Sequence, residues 1–136
     1  MPERNLVFVV DDDAMMLRSI ARLLRQLGYA SVLFPSAEAF AKQSDFDGVI
    51  CVVFDIDLGD VSGIELRHSL KDANISVPVI YITGNDSPAA HTAALQSGCL
   101  AYLTKPFSAN SLVEPLKRAS AAILVRFEVK SANVSC

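Results

Sequence analysis

Short apolar runs rich in β-branched residues recur along the chain, separated by polar and helix-patterned stretches. Leu6 to Val10, Val49 to Phe54 and Val77 to Thr83 are the strongest, and Ser31 to Phe34 and Leu100 to Thr104 are weaker. The strong runs are continuously apolar rather than alternating, the pattern of strands buried on both faces of a parallel sheet. Pro78 falls near the start of its run, where a missing N–H is tolerated.

The segments between them read as helices. Met16, Ile20, Leu23, Leu24 and Leu27 follow a three-to-four spacing, Arg18, Arg22 and Arg25 occupy the opposite face, and Gly28 supplies a stop. Ser36 caps a second helix, and Ser62 with Glu65 makes a capping box for a third. Ser87-Pro88 opens an Ala-rich fourth helix that Gly98 ends. A fifth is predicted from about Ser108 to about Phe127, with Pro115 either kinking it or delaying its regular part. Strands alternating with helices predict an α/β (βα)₅ fold, a doubly wound three-layer sandwich with a parallel sheet between helices.

Composition narrows the class. A chain of 136 residues is one domain, expected over residues 1–127 with a polar tail over 128–136. Apolar residues at 51% and charged residues at 20% exclude general disorder. Twelve Lys and Arg against 15 Asp and Glu give −3, too little positive charge for this domain to grip nucleic acid directly. Cys51, Cys99 and Cys136 are too few and too scattered for a disulfide framework or zinc knuckle, so a reducing cytoplasm is expected. Met1-Pro2-Glu3-Arg4 and the short apolar run after it do not form a signal peptide. No run approaches the roughly 18 residues of a membrane span.

The acids are concentrated. Ligands of open parallel sheets bind outside the carboxyl ends of the strands. Asp11, Asp12 and Asp13 follow the first strand; Asp55, Asp57 and Asp60 follow the third; Thr83-Gly84 follows the fourth and Lys105-Pro106 the fifth. Five of these acids (Asp11, Asp12, Asp13, Asp55 and Asp57) should converge on one patch. Like charges about 4 Å apart repel by roughly 1 kcal/mol in water and several times more near a protein surface. Oxygen donors with room left for water suit Mg²⁺ as the relieving cation.

Four stretches, in order, resemble the response-regulator receiver family: Val9-Val10-Asp11-Asp12-Asp13, Val53 through Gly63, Ile82-Thr83-Gly84 and Tyr102 through Phe107. The resemblance covers residues 5 to about 125 and implies a flavodoxin-like sheet of order 2-1-3-4-5. It implies that Asp55, eight residues before Gly63, accepts a phosphoryl group from a phosphohistidine on a sensor histidine kinase or phosphotransfer protein. Asp11, Asp12, Asp55 and the backbone carbonyl of Asp57 would hold Mg²⁺, and Lys105 and Thr83 would meet phosphoryl oxygens. Thr83 and Tyr102 would form the switch, reshaping the face of the fourth helix, fifth strand and fifth helix. That face would control an output partner or a C-terminal domain not present here, or pair two copies. Such a unit is a phosphoacceptor that supports its own phosphorylation and dephosphorylation, not a turnover enzyme.

Two departures stand out. Gly59 occupies the place where the family usually has proline, which predicts a looser loop, and Asp57 adds a carboxylate beside the metal site. Phe54-Asp55-Ile56-Asp57 also resembles the first motif of haloacid-dehalogenase-like phosphohydrolases, although that motif belongs on a first strand. A third reading is an interaction module of this fold that no longer responds to phosphorylation. His68 and His91 have no partners at metal-ligand spacing and read as surface or satisfied histidines, and Cys51 as core.

Overall fold

The computed structural model describes residues 5–59 and 61–131. Five parallel strands, β1 (Leu6–Val10), β2 (Ala30–Phe34), β3 (Val49–Asp55), β4 (Val79–Thr83) and β5 (Ala101–Thr104), form one sheet in the order β2-β1-β3-β4-β5. They alternate with α1 (Ala14–Gln26), α2 (Ala37–Ala41), α3 (Gly63–Asp72), α4 (Pro88–Gln96) and α5 (Ala109–Ser131). The expected doubly wound order is present. Its winding reverses between β1 and β3, so the carboxyl ends of those two strands open side by side.

The pleat explains why the central runs are apolar without alternation. Phe8, Val10, Phe54 and Tyr81 point to one face, where they meet Phe40 of α2, Leu66 of α3 and Ala94 of α4. Val7, Val9, Val53, Ile80 and Ile82 point to the other, against Leu17, Ile20 and Leu24 of α1 and Leu112 and Leu116 of α5. Both faces are dry, so both sets must be apolar. Edge-to-face ring pairs stiffen the first core: Phe8–Phe34 at 5.1 Å and Phe40–Phe54 at 5.2 Å between centroids.

Each helix entry is fixed locally. The Ser36 hydroxyl accepts from the Ala39 N–H, that of Ser87 from Ala90, and that of Ser62 from Ile64, while the Glu65 carboxylate takes the Ser62 N–H. These bonds satisfy amides that the first turn of a helix leaves without partners. Ser62→Ala is expected to cost about 1 kcal/mol, seen as a lower urea midpoint at unchanged slope.

Several boundaries differ from the sequence expectation. β4 starts at Val79, with Pro78 just outside it; the Pro78 carbonyl still accepts the Val52 N–H of β3 at 3.0 Å. α5 begins at Ala109 and runs through Pro115, which has no N–H for the Ser111 carbonyl, so its regular part is not delayed. It continues to Ser131, into the segment read as a tail, because no Gly or Pro interrupts it there. Met1 to Arg4, Asp60 and residues 132–136, Cys136 included, lie outside the described residues. Among the described residues no helix is long and apolar enough to cross a membrane.

Candidate functional site

The three consecutive aspartates after β1 do three different things. Asp11 is fully buried, its Oδ1 accepting the Asp13 N–H at 2.9 Å and its Oδ2 the Lys105 ammonium at 3.0 Å. Asp12 is exposed at the mouth of the site. Asp13 turns away to cap α1, accepting the N–H groups of Met15 at 3.0 Å and Met16 at 3.3 Å. It therefore serves the helix, and the expected convergence of five acids is reduced by one.

Asp55 is the last residue of β3 and is 4% exposed. Its Oδ1 accepts the Asp57 N–H at 3.0 Å, and its Oδ2 takes Lys105 Nζ at 3.2 Å. Burial raises its carboxyl to about 6, and the nearby Asp11 charge adds to the rise; the Asp57 N–H and Lys105 pull the other way. Burial lowers Lys105, but the bond to Asp11 and the charges of Asp55 and Asp11 outweigh it and the net direction is up. One ammonium thus meets Asp11 and Asp55, while Asp11, Asp12 and Asp55 offer oxygens within 4.8 Å of one another. Oxygen donors only, an excess of negative charge and an open side at Asp12 fit a hard divalent cation.

Thr83 ends β4, fully buried. Its hydroxyl donates to Asp57 Oδ2 at 3.3 Å and accepts the Asn85 N–H at 3.0 Å. Tyr102 on β5 faces outward: its hydroxyl donates to Asp86 Oδ1 at 2.7 Å, and its ring stacks on His91 of α4, centroids 4.5 Å apart. Burial, the bond to Asp86 and the charges of Asp86 and Asp57 push its phenol up to about 12. His91 and His68 are both exposed, as expected, and the ring of His91 is taken up by the stack on Tyr102. Asp86 was missed: the contact joins residues 16 apart through two elements, and no local pattern marks it.

Two glycines shape the loop after β3. A Cβ at Gly63 would lie 2.5 Å from the Asp55 carbonyl oxygen and 3.0 Å from Phe54 Cβ, so α3 presses directly on the strand that carries Asp55. Gly59 has φ +85°, a conformation closed to proline, whose ring holds φ near −65°. The loop takes a path that proline would forbid. Cys51 lies in the core as expected, and burial pushes its thiol up. The Lys105–Pro106 peptide bond is cis.

Comparison with known proteins bears on this arrangement. A family model described as the response regulator receiver domain matches residues 7–117, a span that holds every residue of the site. The chain belongs to the response-regulator receiver family. Nodulation protein W of Bradyrhizobium diazoefficiens is 34% identical over 117 residues, 86% of this chain and 52% of that protein. The transcriptional regulatory protein FixJ of Rhizobium meliloti is 36% identical over 116 residues, 84% of this chain and 56% of that protein. The crystal structure of FixJ-N is 34% identical, with a TM-score of 0.79 over 89% of this chain and 96% of that one. This receiver thus spans about half the length of the relatives and nearly all of the solved domain. Receiver domains are signalling domains of two-component response regulators, and this one carries an aspartate cluster able to bind a metal.

Proposed function

We propose that this receiver is the phosphorylation-controlled switch of a two-component system, with Asp55 as the phosphoacceptor. The observation that supports it most is Asp55 itself: a carboxylate at the switch point of the sheet, held by Lys105 and the Asp57 N–H beside two further aspartates. An Asp55 oxygen attacks the phosphorus of a phosphohistidine on a sensor histidine kinase or phosphotransfer protein. The P–O bond forms as the P–N bond breaks, and the imidazole leaves with a proton. Positioning and neutralised charge supply most of what such a transfer needs.

Lys105 holds the carboxylate before transfer and can pair with a phosphoryl oxygen afterwards. Asp11, Asp12, Asp55 and the Asp57 carbonyl would hold Mg²⁺, which supplies counter-charge for the phosphoryl oxygens. Thr83 reaches a phosphoryl oxygen only by leaving Asp57, and Tyr102 turns inward only by leaving Asp86 and His91. Those exchanges would alter the α4-β5-α5 face, the surface for an output partner, a C-terminal output domain or a second copy. A reducing cytoplasm is the proposed compartment, which suits the thiols of Cys51 and Cys99. It is a phosphoacceptor, not a turnover enzyme, and binds no nucleic acid directly.

A haloacid-dehalogenase-like hydrolase built on Asp55 and Asp57 is not favoured. Their strand is third in the chain, whereas that motif belongs on a first strand. Incubation with Mg²⁺ and acetyl phosphate tests the reading. Intact mass is expected to show one base-labile phosphoryl group per chain, absent with chelator. Continuous hydrolysis of an aryl phosphate ester would favour the hydrolase, and no adduct from acetyl phosphate or beryllofluoride would favour a phosphorylation-independent module. Asp57 adds a distinct expectation. Its carboxylate can orient a water toward the phosphoryl group, so Asp57→Asn should lengthen the phosphoryl lifetime severalfold. Unchanged dephosphorylation kinetics would remove that role.

A further inference from the structure

The α1 arginines belong to no part of the site described above. Arg18, Arg22 and Arg25 stand one above the other at i, i+4 and i+7, and all three are exposed. Among the described residues the ion pairs are Lys42–Glu38, Lys105–Asp11 and Lys105–Asp55, so no described carboxylate pairs with these guanidiniums. They wall an open groove of about 690 Å³ whose other side is Tyr29, Ser31 and Leu33; among the described residues no carboxylate lines it. In a chain with net charge −3, such a local cationic wall runs against the average.

The floor of the groove is an unpaired sheet edge, because β2 is the outermost strand. The Ala30 N–H bonds the Asn5 carbonyl, and the Phe34 carbonyl accepts the Asp11 N–H, so Ala30, Val32 and Phe34 turn their backbone toward β1. By the twofold alternation of a strand, Ser31 and Leu33 turn theirs outward, into the groove. The edge therefore offers backbone donors and acceptors directly beside three arginines.

We propose that the α1–β2 edge docks an extended acidic segment of a partner protein, added beside β2 as a sixth strand with its carboxylates on Arg18, Arg22 and Arg25. The spacings match. Four helical residues rise about 6 Å and three about 4.5 Å, and alternate residues of a strand lie about 6.6 Å apart. A segment with acids at every second position presents all of them to the arginine wall, while its backbone pairs with Ser31 and Leu33. This site is independent of Asp55 and of the phosphorylation reading.

The probe is a short blocked peptide with glutamate at alternate positions between threonine and valine. Its control has the same composition with the glutamates contiguous. The chain contains no tryptophan, so calorimetry measures affinity and amide NMR shifts locate the site. The alternating peptide is expected to shift the Ser31 and Leu33 amides and to bind about tenfold more tightly than the contiguous one. N-methylation of its β2-facing amides, or the triple change Arg18→Gln, Arg22→Gln and Arg25→Gln, should each weaken binding by a similar factor. These arginines are exposed, so the triple variant should retain its fold. Equal affinity for the two peptides, no saturable binding, insensitivity to the triple change, or tighter binding of a single-stranded oligonucleotide would overturn the proposal.

Discussion

Asp55→Asn is expected to take up no phosphoryl group from acetyl phosphate and, in the same protein, to be more stable than the wild type at neutral pH. The first outcome follows because an amide oxygen does not replace the carboxylate nucleophile, and phosphoryl uptake should fall below detection by intact mass. The second follows from burial. The folded-state pKa of Asp55 is about 6 against an ordinary value of 3.8. Between those values the folded protein holds more protons than the unfolded chain, so this group makes stability fall as pH rises through the window. Above it, the penalty of the buried charge is complete. Asn carries no charge and escapes it, a gain of at most about 3 kcal/mol. Urea midpoints of both proteins at neutral pH and below the window measure the difference, which should vanish at the acid end. Mg²⁺ should raise the wild-type midpoint more than that of the variant. An Asp55→Asn protein that still carries the adduct would remove Asp55 from the chemistry.

Gly63→Val is expected to be the most damaging single change near the site. The added Cβ would lie 2.5 Å from the Asp55 carbonyl oxygen and 3.0 Å from Phe54 Cβ, and both neighbours belong to the central strand. Neither can swing aside as the end of a long side chain would. Either α3 lifts off β3 or β3 bends, and overpacking of this kind costs about 3 kcal/mol or more. Because the displaced atom belongs to Asp55, the variant should also lose Mg²⁺ affinity and phosphorylation rate beyond what partial unfolding explains. Gly84→Ala is the matched control. There a Cβ would meet Lys105 Cδ at 3.7 Å, an ordinary contact, so stability and phosphorylation should stay close to wild type. A Gly63→Val protein with wild-type urea midpoint would show that the close approach of α3 is not a constraint.

The framework was legible because its rules are local or periodic. Continuous apolar runs marked β1, β3 and β4, and Ser36, Ser62 and Ser87 marked helix starts that their hydroxyls do cap. Asp11, Asp12, Asp55, Thr83 and Lys105 were legible as strand-end residues, and Asp11, Asp55 and Lys105 do meet. What a strand-end position does not encode is the direction of a side chain. Asp13, identical in type to its two neighbours, turned out to cap α1. The partners of Thr83 and Tyr102, namely Asp57 and Asp86, depend on loops that no periodicity governs.

By itself the sequence determined the order of the elements, the two-sided burial of the sheet and the identity of the charged groups at its carboxyl end. These depend on which residue types recur at which interval, and solvent exclusion reads that interval directly. Only the tertiary structure decided how charge is shared at the site. Lys105 reaches Asp11 across 94 residues and Asp55 across 50, and α3 fits against β3 only because Gly63 has no side chain. Ångström-scale distances between remote segments set those energies. They exist only once both cores have packed and brought the strand ends together.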